Sequence, residues 1–301
     1  MQNILITGAN GLIGRRLSED LQQSGYHVRW LIRKKDPRFT FPQFLWDPAR
    51  GEIDCDAFDQ LDAIIQLAGH PIASGLWTSS RKKQIVDSRL NSIQTLLKCL
   101  THKKLHIPHI VQASATGFYG DQPGKILTED SANPPKGFLS EVCHKWEAEA
   151  LSLQSVCNKL TIVRTGLFLD HRGGIWPKLL LTKPIHFLSY PTPGLQMLSW
   201  IHYQDYQNAM RFVLEKGLVG PVNFTAPESN SVKNMIETVA RLEKLSVIPG
   251  PPSWLLRLFL GEMSSLILDS QQVIPQKLLQ AGFLFNYPNA QTAASDLIKS
   301  K

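Results

Sequence analysis

Three glycines near the amino terminus have the spacing of a loop that can hold a phosphate. Gly8, Gly11 and Gly14 follow an apolar segment at residues 4–7 and precede an amphipathic one. A strand, a tight turn and a helix in this order aim backbone N–H groups and the positive end of a helix at an anion. Gly11 leaves room for a phosphate beside the backbone, and Gly14 lets the helix pack closely on the strand. The spacing predicts a pyrophosphate-binding loop.

The residues after this loop indicate which dinucleotide would bind. Apolar residues recur at helical spacing over residues 12–24, and residues 28–32 are typical of a second strand. Arg33, Lys34 and Lys35 follow that strand, where an NAD site has an acidic residue that binds the ribose 2′-hydroxyl. A guanidinium suits a 2′-phosphate, so the sequence favours NADP, or NADPH in its reduced form, over NAD. The alternative is a polar loop at residues 33–35, with Asp36 binding a ribose.

The rest of the chain alternates strands and helices as far as about residue 165. This pattern predicts an α/β fold, a Rossmann-type doubly wound parallel sheet whose functional loops lie at the carboxyl ends of the strands. Proline and glycine interrupt shorter elements beyond that point. We therefore expect an NADP-binding Rossmann domain at residues 1–165, with elements of roughly 195–225 returning to it. Residues 166–301 would form a smaller C-terminal α+β substrate lobe.

Composition excludes several other classes of protein. Hydrophobic residues make up 43% of the 301-residue chain and charged residues 19%, which is typical of a soluble globular protein. There is no secretory signal and no apolar stretch that could span a bilayer, so we expect a cytoplasmic protein without a membrane partner. The net charge of +7 comes from short, separated basic clusters without a nucleic-acid-binding motif, so no nucleic acid is expected. The four cysteines have no metal-ligand spacing, which predicts reduced thiols and no metal.

Several short motifs occur in a distinctive order along the whole chain. They are Thr7-Gly8 through Gly14, Leu67-Ala68-Gly69, Ser114-Ala115-Thr116-Gly117, Tyr119-Gly120-Asp121, Arg164-Thr165-Gly166, Trp200-Ile201-His202 with Asp205, Leu260-Gly261-Glu262-Met263, and residues 275–283. In this order they resemble the extended short-chain dehydrogenase/reductase superfamily, and within it the atypical branch of epimerase-family proteins. Residues of roughly 248–298 resemble that family's small C-terminal domain of unassigned function.

The resemblance implies an NADP-binding protein related to nucleotide-sugar epimerases and reductases. The substrate would be a small molecule, with a nucleotide sugar as one candidate, and the protein would be a monomer or a homodimer. The expected cofactor-binding residues are Thr7, Gly8, Asn10, Gly11, Leu12, Ile13, Gly14, Arg33, Leu67, Ala68, Gly69 and Arg164.

The catalytic residues that the resemblance implies are not evident in this sequence. Working members use Tyr-x-x-x-Lys on one helical face, and none of the six tyrosines is followed by lysine at that distance. By position, Leu139 and Cys143 stand where tyrosine and lysine belong, ahead of Glu147. The catalytic candidates are therefore Tyr119 first, then Ser114 and Thr116. Each has a structural alternative, which is loop packing for the tyrosine and a strand-end or capping role for the other two.

Two functional hypotheses follow from this sequence. The first is an NADP-dependent oxidoreductase or epimerase-like enzyme with an atypical active site. The second is a non-catalytic NADP(H)-binding sensor or regulatory interaction protein, which the missing Tyr-x-x-x-Lys pair favours.

Overall fold

The computed structural model describes residues 2–132 and 134–300, and these form two compact units. The first unit contains the residues up to Ser114 together with Val142–Val163 and Met210–Val222. The second contains Ala115–Glu141, Arg164–Ala209 and the residues from Asn223 onward. The chain thus passes between the units several times, and residues 115–141 of the expected nucleotide-binding range belong to the second unit.

The helices and strands of the described residues are numbered in chain order. The strands are β1 (Asn3–Thr7), β2 (His27–Ile32), β3 (Gln43–Asp47), β4 (Glu52–Ile53), β5 (Ala63–Gln66), β6 (Ile107–Ala115), β7 (Ile126–Leu127), β8 (Cys157–Thr165), β9 (Leu167–Asp170), β10 (Gly173–Gly174), β11 (Phe187–Thr192), β12 (Met197–Leu198), β13 (Trp200–His202), β14 (Gly220–Phe224), β15 (Asn230–Ser231), β16 (Ser246–Pro252) and β17 (Gln272–Val273). The helices are α1 (Leu12–Gln23), α2 (Ser79–His102), α3 (Phe138–Ala150), α4 (Trp176–Leu179), α5 (Tyr203–Lys216), α6 (Val232–Glu243), α7 (Ser253–Leu260), α8 (Ser265–Leu268), α9 (Gln276–Gln280) and α10 (Ala290–Lys299).

An eight-stranded sheet has the strand order β14-β8-β6-β5-β1-β2-β3-β4. Strand β1 pairs in parallel with β2 on one side and with β5 on the other, and Ile6 is level with Trp30 and Ile65. The pairs β2–β3 and β5–β6 are also parallel, whereas β4 is antiparallel to β3. The predicted Rossmann-type α/β fold is confirmed. Because the strand order reverses between β1 and β5, a crevice is expected at their carboxyl ends.

The central strands are buried on both faces, which explains why their sequences are apolar without alternation. Leu5 of β1 and Ile64 of β5 have no exposed surface and belong to a core cluster with residues of helix α2, and Leu17 and Leu21 of helix α1 are equally buried. Each such side chain contributes about 1.5–3 kcal/mol by leaving water. This packing holds the loops at the ends of β1 and β5 in fixed places.

One expectation about the cysteines is wrong. Cys55, in a short 3-10 turn, is joined to Cys99 of α2 by a disulfide with an S–S distance of 2.08 Å. The turn and the helix pack on the same core of the first unit, so their Cα atoms lie 6.5 Å apart. Their separation of 44 positions in the sequence hides this proximity, because cysteine spacing does not reveal it.

The second unit contains smaller sheets and the carboxyl-terminal helices. Strands β10, β9 and β13 form one sheet, and β11 pairs in parallel with β16. The carboxylate of Asp205 accepts hydrogen bonds from the N–H groups of Asn286 and Tyr287, both at 2.8 Å, and so ties the segment before α10 to α5. In the described part of the chain, each helix is too short or too polar to cross a membrane.

Candidate functional site

The turn between β1 and α1 leaves no room for side chains. Gly8 has a φ of +64°, and its carbonyl accepts the N–H of Gly11 at 2.9 Å. A Cβ at Gly8 would lie 3.0 Å from backbone atoms of Leu67 and Ala68, and one at Gly14 would lie 2.5 Å from the Gly8 oxygen. The turn therefore packs tightly against the segment after β5 and against the first turn of α1.

The first turn of α1 presents donors for an anion. The helix runs for 12 residues from an N-cap at Gly11, and the described residues supply no side-chain cap to it. Unsatisfied N–H groups at such a terminus carry partial positive charge. The N–H groups of Leu12 and Ile13 therefore suit the oxygens of a phosphate.

Thr7 joins the two strand ends beneath this turn. Its Oγ1 accepts the N–H groups of Leu67 and Ala68, each at 3.1 Å, and donates to the side-chain oxygen of Gln66. Because Thr7 is completely buried, it positions the loops and does not line the site.

A cavity of about 500 Å³ opens at the carboxyl ends of β1, β2, β3 and β5, within the first unit. This volume lies in the range of small-molecule sites, roughly 300–1,000 Å³. Its wall is formed by Gly8, Asn10, Leu31, Ile32, Arg33, Trp46, Asp47, Pro48, Ala49, Ala68, Gly69, His70, Pro71, Gln84, Asp87, Ser88 and Asn91. The cavity thus lies beside the point where the strand order reverses.

Arg33 and Asp36 have different surroundings. Arg33 is exposed and forms part of the cavity wall. The Asp36 carboxylate instead accepts from Nε and Nη2 of Arg38 at 2.9 and 2.6 Å, and these hydrogen bonds lower its pKa to about 2. Asp36 lines a different, shallow depression with Lys35 and Gln43. After β2, the residue that lines the cavity is therefore Arg33 and not Asp36.

The predicted cofactor-binding residues fall into three groups. Those in the cavity wall are Gly8, Asn10, Arg33, Ala68 and Gly69. Those that build or flank the glycine turn without lining the cavity are Thr7, Gly11, Leu12, Ile13, Gly14 and Leu67. Arg164 belongs to the second unit, is buried, and donates to the hydroxyl of Tyr119. The structure does not bring Arg164 to the cavity wall.

Helix α2 contributes a polar face that sequence reasoning missed. Gln84, Asp87, Ser88 and Asn91 line the cavity, and their spacing of three, one and three residues puts them on one side of the helix. The Ser88 hydroxyl accepts the N–H of His70 at 2.9 Å and so fixes the loop after β5 to the helix. The signal in the sequence was the recurrence of polar residues along this helix, which the apolar residues of the same helix obscured.

A second missed group follows β3. Trp46, Asp47, Pro48 and Ala49 line the cavity, and Asp47 stabilises its turn by accepting the N–H of Ala49 at 3.0 Å. Strand β3 pairs in parallel with β2, and this pairing puts the carboxyl end of β3 at the cavity.

His70 lies among cations in the cavity wall. Burial and then the charges of Arg81, Arg33 and Arg89 lower the pKa of its imidazole. Its Nε2 is buried without a hydrogen-bond partner in the described residues. The positive charges of these three arginines indicate a region suited to an anionic ligand.

Ser114 is the catalytic candidate that belongs to the first unit. Its hydroxyl donates to Oε1 of Glu147 at 2.6 Å, and both side chains are buried. It lies two residues beyond Gln112, which is level with Gln66 in the β5–β6 pair. Ser114 therefore lies at the same edge of the sheet as Ala68 in the cavity wall.

Tyr119 and Thr116 belong to the second unit and are both buried. The Tyr119 hydroxyl donates to Oδ1 of Asn223 at 2.7 Å and accepts from Nη1 of Arg164 at 3.0 Å. Burial raises the pKa of this phenol to about 12, although the Arg164 charge opposes the shift. The guanidinium of Arg164 also stacks 3.5 Å from the ring centre of Phe118. This phenol is therefore held by protein partners on both its donor and its acceptor side.

The doubly wound sheet, with a glycine turn and a cavity at its reversal point, defines a Rossmann-type nucleotide-binding protein. The chain belongs to the NAD dependent epimerase/dehydratase family, which matches residues 4–164. Residues 251–297 match the domain of unknown function DUF1731. The family resemblance inferred from the motifs is confirmed.

Known proteins resemble the chain over its full length. The epimerase family protein YfhF of Bacillus subtilis is 34% identical over 306 residues, covering 99% of each chain. The crystal structure of the human epimerase family protein SDR39U1 with NADPH is 27% identical, with a TM-score of 0.87 and complete coverage of both chains. A nucleoside-diphosphate sugar epimerase from Corynebacterium glutamicum is 28% identical with a TM-score of 0.75, covering 98% of this chain and 57% of its own.

Proposed function

We propose that the protein binds NADP(H) in this cavity and acts as an NADP-dependent oxidoreductase or epimerase-like enzyme without a Tyr-x-x-x-Lys pair. The observation that carries the cofactor choice is Arg33 in the cavity wall, with Asp36 held away by Arg38. A guanidinium binds a 2′-phosphate through charge-assisted hydrogen bonds, whereas a carboxylate would repel it. The human relative, whose crystal structure contains NADPH, supports the same choice.

The donor set suits the remaining parts of such a cofactor. The first turn of α1 would bind the pyrophosphate, and the absence of side chains at Gly8 and Gly69 would let the dinucleotide lie close to the backbone. Bound NADP(H) supplies or accepts a hydride at nicotinamide C4. The substrate proposed is a small polar molecule, and a nucleotide sugar is favoured because the C. glutamicum relative is a nucleoside-diphosphate sugar epimerase.

Ser114 is the residue we propose for proton transfer. Its proton is held by Oε1 of Glu147, so the Oγ lone pairs remain able to accept the proton of a substrate hydroxyl. In that step Ser114 gains the substrate proton while its own passes to Glu147. Tyr119 and Arg164 are given a structural role in this account, because each is buried and bonded to the other.

The proposal is tested by binding and turnover of the purified protein. NADPH should bind with a change in nicotinamide fluorescence and more tightly than NADH. At least one sugar nucleotide or carbonyl compound in a broad panel should then change the near-ultraviolet absorbance of the nicotinamide. Failure of NADPH to bind would refute the cofactor assignment, and binding without any turnover would refute the enzymatic part.

A non-catalytic NADP(H) sensor is the second candidate function. It is favoured by the hydrogen bonds of the Tyr119 hydroxyl to Asn223 and Arg164, and by burial, which raises the pKa of this phenol to about 12. A sensor would bind NADPH without turnover, and capture of a protein partner would depend on whether NADPH or NADP+ is present. Capture that is identical with both forms would exclude this version.

A further inference from the structure

Arg89 of helix α2 is a cation enclosed within the first unit. Only 6% of its surface is exposed, and burial lowers its pKa to about 10, so it stays charged at neutral pH. Its Nη1 donates to the carbonyl oxygens of His70 at 3.2 Å and Ile85 at 2.9 Å. The guanidinium carbon lies 4.7 Å from the ring centre of Trp146. No carboxylate pairs with Arg89 in the described residues.

A buried charge without an opposite charge is costly unless something else binds it. Two carbonyl oxygens and an indole ring offset part of that cost, but Nε of Arg89 is buried without a hydrogen-bond partner. Nη2 likewise makes no hydrogen bond to a described residue. The guanidinium therefore retains donors and a full charge for a group that is not part of the chain.

The donors that remain lie next to the cavity wall. A Cβ at Gly69 would be 3.3 Å from Cζ of Arg89 and 3.4 Å from Nη2. Gly69 lines the cavity, as does His70, whose carbonyl the same guanidinium binds. The guanidinium is thus next to the cavity wall at a position where the wall has no side chain.

Residues of α3 lie on another side of the same guanidinium. The thiol of Cys143 interacts electrostatically with Arg89 and raises the arginine pKa against the larger effect of burial. Cys143 is also where the family resemblance places a lysine. Arg89 would therefore supply a positive charge near the position where the resemblance implies a lysine.

We propose that Arg89 binds the nicotinamide-side phosphate and ribose of the dinucleotide, while Arg33 binds the adenosine 2′-phosphate. This inference rests on the proposed binding of NADP(H). Arg33 follows β2, whereas Arg89 lies behind the segment after β5, so the two guanidinium groups serve different parts of an extended ligand. Arg89 is then a cofactor-binding residue that none of the sequence motifs contains.

A comparison of three ligands distinguishes binding at one end of the cofactor from binding at the other. NADP+ and 2′-phospho-ADP-ribose contain both phosphates of the pyrophosphate and the second ribose, whereas adenosine 2′,5′-bisphosphate lacks the second phosphate and ribose. Titration calorimetry would compare the wild type, Arg89→Gln, Arg89→Lys and the control Lys98→Gln. Lys98 is exposed on the same helix, so its substitution removes the same charge away from the cavity.

The expected result is selective. Arg89→Gln should weaken the binding of NADP+ and of 2′-phospho-ADP-ribose by about tenfold or more. It should change the affinity for adenosine 2′,5′-bisphosphate by less than about twofold. Arg89→Lys should give a smaller loss, and Lys98→Gln none. If Arg89→Gln does not fold, the same difference between the ligands, measured with Arg89→Lys, tests the inference.

Two results would overturn the inference. Equal weakening of all three ligands would make Arg89 a structural support of the cavity, and unchanged binding of NADP+ would leave it no role in the site. A wild-type protein that binds none of the three ligands would instead refute the proposed NADP(H) site itself.

Discussion

The hydroxyl of Tyr119 accepts a hydrogen bond of 3.0 Å from Nη1 of Arg164, and both side chains are buried. The same hydroxyl donates to Asn223, so its proton already has an acceptor within the protein. Burial raises the pKa of this phenol to about 12, farther from neutrality than its ordinary value, and both hydrogen-bonding sides of the hydroxyl are occupied by the protein. We therefore assign the pair to the stability of the second unit.

Tyr119→Phe tests that assignment. The variant would leave Arg164 and Asn223 without this partner, and the free energy of unfolding should fall by about 1–3 kcal/mol. Urea denaturation measures the loss, and the affinity for NADPH should stay within about twofold of the wild type. Loss of turnover at unchanged stability would show instead that Tyr119 takes part in the chemistry.

Gly14→Ala tests the packing of the glycine turn. Its Cβ would lie 2.5 Å from the Gly8 carbonyl oxygen, so α1 would have to move away from the turn. We expect a loss of about 1–3 kcal/mol in stability and much weaker NADPH binding. Gly11→Ala is the matched control for stability, because its Cβ would lie 3.2 Å from the same oxygen and its φ of −77° is open to alanine. Equal losses of stability in the two variants would contradict this steric explanation.

Ser114→Ala distinguishes the hypothesis of an enzyme from the hypothesis of a non-catalytic sensor. The substitution removes the hydroxyl that donates to Glu147 and should reduce turnover by about a hundredfold or more. NADPH affinity should change little, since Ser114 is not in the cavity wall. Steady-state kinetics and cofactor titration on one preparation measure both quantities. Full turnover by the variant would exclude Ser114 from the proton transfer.

His109 gives the protein a predictable sensitivity to acid. Its Nε2 lies 2.7 Å from the hydroxyl of Thr161, which donates to the carbonyl of Leu218. The imidazole must therefore carry its proton on Nε2. Burial, together with the charge of Lys159, lowers the pKa from 6.5 to about 4. Between these values the unfolded chain holds the additional proton, so stability falls as the pH falls.

The expected slope reaches about 1.4 kcal/mol per pH unit for this one group. His109→Gln keeps an N–H for Thr161 but does not titrate, so its stability should depend less on pH below 6.5, the ordinary value. Urea unfolding at several pH values measures the difference, with His27→Gln as the control because His27 is exposed. Identical pH dependence of the wild type and His109→Gln would contradict the assignment.

Features that depend on neighbouring residues could be predicted from the sequence. The glycine turn and Arg33 both belong to the first βαβ unit, where strand, turn and helix follow one another directly. The fold class also followed from the alternation of strands and helices. Such features are set by local spacing, which a sequence displays.

Features that depend on packing between distant segments could not be predicted. Arg89 reaches Gly69 only because α2 returns along the sheet, and no spacing rule connects the two residues. The hydroxyl of Tyr119 is bonded to Arg164 and Asn223, which are 45 and 104 residues away in the sequence. The Cys55–Cys99 disulfide is hidden for the same reason.

The cofactor assignment depends most directly on Arg33. Dissociation constants of NADPH and NADH, measured by nicotinamide fluorescence for the wild type and Arg33→Gln, test it in one experiment. We expect the wild type to bind NADPH more tightly than NADH, and Arg33→Gln to weaken the binding of NADPH by about tenfold to a hundredfold while the binding of NADH changes little. A wild type that binds both cofactors equally, or an Arg33→Gln variant that keeps the preference for NADPH, would contradict it.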